Sequence, residues 1–77
     1  MWENQGSQLN SRAKSQLLTE NSWLVSWKGG DYIVQRVLHS KKIWKIRRRN
    51  NVALIHILTE REGLGKEEAI AWIEANC

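Results

Sequence analysis

A short segment of alternating side chains, Trp23 to Lys28 (WLVSWK), and a segment rich in β-branched and aromatic residues, Tyr32 to Leu38 (YIVQRVL), are separated only by Gly29, Gly30 and Asp31. No other feature of the chain narrows its fold as much. Alternation places Trp23, Val25 and Trp27 on one face of a strand and Leu24, Ser26 and Lys28 on the other. The Gly-Gly-Asp stretch supplies the positive-φ residues of a tight hairpin. The first strand therefore has a bulky face that needs cover, and a chain of 77 residues has little to spare. A domain of that size buries only about 60–65% of its unfolded surface, so large side chains have to fill the core. Five Trp and one Tyr, with no Phe, meet that need, since each indole removes roughly 200 Å² from water. Trp23, Trp27, Trp44 and Trp72 are core candidates first and binding residues second.

The rest of the chain is read around this hairpin. Residues 1–8 are polar, without an apolar period, and are expected to form a flexible arm preceding a single domain over residues 9–77. Leu9, Ala13 and Leu17 fall at helical spacing after a possible cap at Asn10 or Ser11, and Glu20 and Asn21 close the segment, which predicts an N-terminal helix. His39, Ser40 and Lys41 make a turn into a third strand ending at Arg49. The run VALIHIL, residues 52–58, is apolar at six of seven positions and too short to assign by period. It continues without a turn signal to Gly63, a natural residue after a helix C-terminus, so residues 51–62 are read as a helix, with a fourth meander strand as the alternative. Either way the segment is expected to be buried. Residues 66–76 form the last helix, with Glu67 and Glu68 in its first turn and Ala69, Ile70, Trp72 and Ile73 as its apolar stripe.

The expected fold is thus a small α+β domain: an N-terminal helix, a three-stranded antiparallel β-meander and a C-terminal helical hairpin, or, alternatively, a four-stranded meander and one C-terminal helix. Its predicted core is Leu17, Trp23, Val25, Trp27, Ile33, Val37, Trp44, Ile46, Leu54, Ile55, Leu58, Ile70 and Ile73.

Charge is distributed in blocks. Residues 28–49 carry Lys28, Arg36, Lys41, Lys42, Lys45, Arg47, Arg48 and Arg49 against Asp31 alone, whereas residues 50–77 carry Arg61 and Lys66 against Glu60, Glu62, Glu67, Glu68 and Glu74. Cations on edge strands commonly guard against aggregation, but one or two suffice for that. Six cations in the nine residues from Lys41 to Arg49 stress the fold through self-repulsion and draw polyanions. In the strand, Lys45, Arg47 and Arg49 follow Ile43 on one face, while Lys42 and Arg48 share the other with Trp44 and Ile46.

Other chemistries lack their residues. His39 and His56 have no second ligand at metal spacing, and Cys77 has no partner in the chain for a disulfide or a CxxC cluster. Phosphate loops, nucleophile elbows and opposed carboxylates are absent, so no enzyme activity, metal or cofactor is expected. No membrane span or signal peptide is read, and a cytoplasmic location is expected. A helix-turn-helix across Gly63 to Gly65 would present Lys66, Glu67 and Glu68 to DNA, an acidic end unsuited to phosphate. The predicted order of helix, three strands and helix, with Gly63, Gly65, Lys66 and Ala69 at the start of the last helix, resembles the double-stranded RNA-binding domain. Glu67 and Glu68 stand where that family sets lysines against phosphate, so the resemblance is topological and membership is not assigned.

The expectation is a small basic, non-enzymatic nucleic-acid-binding or regulatory protein. Its contacts are Lys28, Arg36, Lys41, Lys42, Lys45, Arg47, Arg48 and Arg49, with Trp44 or Tyr32 as a stacking ring for RNA or DNA. The rival is a protein–protein interaction module, an inhibitor or assembly factor, using the same strand on an acidic partner surface. A third reading is a homo-oligomer in which the acidic helices of one copy meet the basic strand of another.

Overall fold

A computed structural model describes residues 12–77. The expected arm over residues 1–8, and residues 9–11 of the expected first helix, lie outside the described residues. Five strands, Lys14–Thr19 (β1), Ser22–Trp27 (β2), Gly30–Arg36 (β3), Ile43–Arg48 (β4) and Leu54–Thr59 (β5), precede one helix, Gly65–Asn76 (α1). They form one antiparallel sheet in sequential order, β1-β2-β3-β4-β5. No helix among the described residues is long and apolar enough to cross a membrane.

The β2–β3 hairpin forms where the alternation places it, but its turn lies one residue earlier than expected. Lys28 (φ 49°) and Gly29 (φ 81°) are the positive-φ pair, and Gly30 already pairs with Trp27. Two consecutive positive φ values match the hand of the strand twist. Cross-strand partners share a face of the sheet. The register Val25–Tyr32–Arg48 and Trp23–Val34–Ile46–His56 therefore sets one face, and Leu24–Ile33–Arg47–Leu54 the other.

Helix α1 packs on the first of these faces, across β2, β3 and β4. Ala69, Ile70 and Ile73, spaced three and four apart, meet Val25, Tyr32, Val34, Trp44 and Ile46 in one buried cluster. Trp23, Trp27, Leu58 and Trp72 pack at its margin.

The predicted N-terminal helix is not present; residues 14–19 are β1, paired to β2. Every side chain of β1 is exposed, Leu17 included. The helical spacing of Ala13 and Leu17 marked no common buried face: Ala13, just before the strand, packs at the core margin, Leu17 is exposed, and β1 is held by backbone pairing along β2. Its return is fixed locally: Thr19 Oγ1 and Ser22 Oγ lie 2.8 Å apart, and the Asn21 N–H donates to Thr19 Oγ1.

The predicted helical hairpin is not present either. Residues 54–59 form β5, the strand weighed as the alternative, and the domain is mostly sheet. Ile55 and Ile57 are β-branched and fit a pleated surface, and β4 offers a ladder from Ile43 to Arg47, with a register shift at Ile46 and Arg47 that leaves Ile55 without a partner on β4. Gly63 (φ 75°) turns a connection rather than ending a helix. The segment is also exposed rather than buried, with Leu54, Ile55 and Ile57 open to solvent. With five strands in order, the likeness to the double-stranded RNA-binding domain lapses.

At the start of α1, Gly65 is pressed onto Trp44: a Cβ there would overlap the indole ring and the Glu60 carboxylate. Glycine inside a helix normally costs about 1 kcal/mol against alanine. Here the sign reverses. We expect Gly65→Ala to lower stability by about 1–3 kcal/mol, read as a lower midpoint in thermal unfolding followed by circular dichroism, whereas Ala71→Gly on the exposed side of the same helix should cost about 1 kcal/mol.

Candidate nucleic-acid interface

The helix leaves the second face of the sheet bare. Working along the register, this open face carries Lys14 and Gln16 from β1, Ser22, Leu24 and Ser26 from β2, and Asp31, Ile33 and Gln35 from β3. Ile43, Lys45 and Arg47 come from β4, and Leu54, Ile57 and Thr59 from β5. One strip across the sheet reads Gln16–Leu24–Ile33–Arg47–Leu54, and the next reads Ser22–Gln35–Lys45–Ile57. Cations and apolar side chains thus lie side by side on a pleated surface.

The cations named from the sequence divide into groups. Lys45 and Arg47 are on the open face, as alternation along the strand required, and both are half-buried by their neighbours. Arg47 Nη1 also donates to the carbonyls of Arg48 and Arg49, so its guanidinium is held at the β4–β5 turn. Lys41 and Lys42 are exposed in the β3–β4 connection at one end of the sheet. Lys28, Arg48 and Arg49 gather at the other end, where the β2–β3 and β4–β5 turns meet around Gly29, Asp31 and Asn51. Arg49 is paired to Asp31 at 3.4 Å, and Arg48 lies on the helix face with its guanidinium 5.4 Å from the Tyr32 ring.

Arg36 and Trp44 are corrections to the expected set. Trp44 is only 3% exposed and Tyr32 only 4%, both beneath α1, so neither offers a ring for stacking. Trp44 Nε1 donates to Glu60 Oε1 at 2.8 Å, and the Arg36 guanidinium lies 4.6 Å from the same indole and 3.8 Å from the same carboxylate oxygen. Arg36 also donates to the Lys41 carbonyl. It is a structural cation, balanced by Glu60. Among the described residues no aromatic ring lies on the open face, because Trp23, Trp27, Tyr32 and Trp44 all share the face that the helix covers.

Lys14 is the residue sequence reasoning missed. It stands opposite Ser26 on the open face, and only the strand assignment of β1 reveals that. The acids sit elsewhere. Glu74 accepts from the Ala13 N–H and pairs with Arg12, Glu68 accepts from the Arg61 N–H, and Glu67 pairs with Lys66. Among the described residues only Asp31 is acidic on the open face, and it is bonded to Ser26 and Arg49. Among the described residues, no carboxylate lies within ion-pair distance of Lys45 or Arg47. His39 is exposed, His56 stacks on Trp72 with ring centroids 4.3 Å apart, and no described cluster is arranged to hold a metal ion.

Protein-family models, curated proteins and solved structures contain no match to this chain.

Glu60 is a separable test of this division between structural and free cations. Glu60→Ala leaves the Trp44 N–H unpaired in a buried site and should cost about 1–3 kcal/mol. Glu60→Gln keeps the acceptor and gives up only the partly exposed charge pair with Arg36, a loss below about 1 kcal/mol. Chemical denaturation of the two variants beside the wild type measures the difference.

Proposed function

We propose that the protein binds single-stranded nucleic acid on the open face of its sheet and acts by binding, without catalysis. The observation that carries this reading is the placement of Lys45 and Arg47. Both lie on the uncovered face, free of described acids, beside the exposed Leu54 and Ile57. Cations of this kind contact phosphates, lysine as a point charge and arginine as a fork. The apolar side chains between them suit the faces of unpaired bases. A duplex hides those faces, and the major groove admits a helix or a two-stranded ribbon rather than a five-stranded sheet. Lys14, Lys41, Lys42, Lys28 and Arg49 surround the strip and extend the positive field to both ends of the sheet. With no aromatic platform, affinity comes mainly from phosphate contacts and depends strongly on salt. A cytoplasmic setting fits this role.

Titration of the protein with single-stranded RNA, single-stranded DNA and duplex DNA of equal length, at several salt concentrations, tests the reading. Both single strands should bind more tightly than the duplex. The double variant Lys45→Gln/Arg47→Gln should weaken single-strand binding tenfold or more at low salt. It should also flatten the plot of log affinity against log salt by about 1.4, two contacts at ~0.7 each. Unchanged affinity and slope would remove these residues from the interface. Absence of binding to all three polymers at low salt would leave the basic strand to an acidic protein partner.

A further inference from the structure

Strand β5 lies at the margin of the sheet with its outer side unpaired among the described residues. The Glu60 N–H donates to the Lys42 carbonyl at 2.7 Å, so Glu60, and with it Leu58 and His56 at the two-residue period, turns its backbone groups toward β4. Ile57 and Thr59 therefore direct their N–H and C=O groups outward, away from the sheet. Natural edges are normally guarded by a charge, a proline or a covering segment. The sequence LIHILT has no charged residue and no proline. The other edge strand, β1, carries Lys14 and is followed closely by the Arg12–Glu74 pair at its start.

Apolar surface flanks the β5 edge on both sides. On the open face Leu54 is 45% and Ile57 52% exposed. On the helix face a groove of about 570 Å³ runs between β5 and α1, lined by His56, Leu58, Leu64, Ala71 and Trp72. Its rim carries Arg61 together with Glu62 and Glu68. Both signs of charge are therefore available along one patch, which a surface must offer if it is to meet its own copy.

We infer that β5 is a dimerisation edge, and that its occupant is β5 of a second copy, antiparallel, about a two-fold axis at Ile57. That axis is the one the geometry favours. Ile57 points its backbone outward, so two Ile57 residues exchange both N–H···O bonds. Thr59 then stands opposite the partner's Ile55, and His56 opposite the partner's Leu58. No charged side chain on the strand meets a like charge. The two sheets become one of ten strands, with both helices on one side and both open faces on the other. Lys45 of the two copies lie about three strand spacings apart, roughly 15 Å, on one continuous basic surface.

The inference stands without the nucleic-acid reading, and its test contains no nucleic acid. Sedimentation equilibrium of the full chain from low to high micromolar concentration should give the mass of two chains. Ile57→Lys, which places a charge at the two-fold axis, should give one chain with an unchanged circular dichroism spectrum, and Leu18→Lys on β1 should leave the dimer intact. Hydrogen exchange on the wild type supplies a readout that needs no variant: protection of the Ile57 and Thr59 amides should rise with protein concentration. A wild type that is monomeric throughout overturns the inference. So does a dimer that survives Ile57→Lys, or one in which the Ile57 and Thr59 amides exchange freely.

Discussion

The domain is organised by the contact between the first residue of α1 and the indole of Trp44. Gly65 lies where any side chain would overlap that ring, so the helix enters the sheet at a fixed point and a fixed height. Ala69, Ile70 and Ile73 then follow at helical spacing over Val25, Val34 and Ile46. The indole is itself held from both sides, by the Glu60 carboxylate on its N–H and by the Arg36 guanidinium on its face. One aromatic ring thus ties together β3, β4, the end of β5 and the start of the helix. Arg36, which reads from the sequence as a binding residue, serves instead with Glu60 to orient a core side chain.

A single helix sets the second feature of the molecule. With its side chains a helix is about 10–12 Å across, while five strands at ~4.8 Å spacing span about 19 Å. One helix can cover the three central strands of such a sheet and no more. The remaining surfaces follow by elimination: the side chains of β1 are exposed along its length, and among the described residues nothing pairs with the outer side of β5 or packs as a second layer on the face opposite the helix. The core is committed beneath α1, and these are the surfaces that the described residues leave uncovered.

Charge reinforces the division. The separation between a basic middle and an acidic end along the chain carries over only in part: Arg36 and Arg48 lie on the helix face, whereas Lys45 and Arg47 lie on the other. Glu67, Glu68 and Glu74 travel with the helix, and each is engaged by a cation or a backbone amide. Lys45 and Arg47 point to the other side, because residues that alternate with the buried Trp44 and Ile46 have no other direction available. Among the described residues the acid on that face is Asp31, which is engaged by Ser26 and Arg49.

Alternation was enough to identify the β2–β3 hairpin, the two faces of β4, the last helix and the uneven charge, because each is encoded within a few consecutive residues. The open-face positions of Lys45 and Arg47 followed from the same period. The strands at the two margins were not legible in this way. Ala13 and Leu17 keep helical spacing, yet Ala13 precedes the strand and packs at the core margin while Leu17 is exposed, and the apolar run from Val52 to Leu58 suits a helix or a strand equally. Both segments became strands because β2 and β4 offered unpaired backbone groups, a condition set by residues far away in the chain. Tertiary structure also separated Arg36, bound to Glu60 and Trp44, from Lys45 and Arg47, which no described carboxylate pairs. Local sequence carries the period of a buried face; pairing along an edge and the cancellation of one charge by another depend on which distant groups the fold brings within reach.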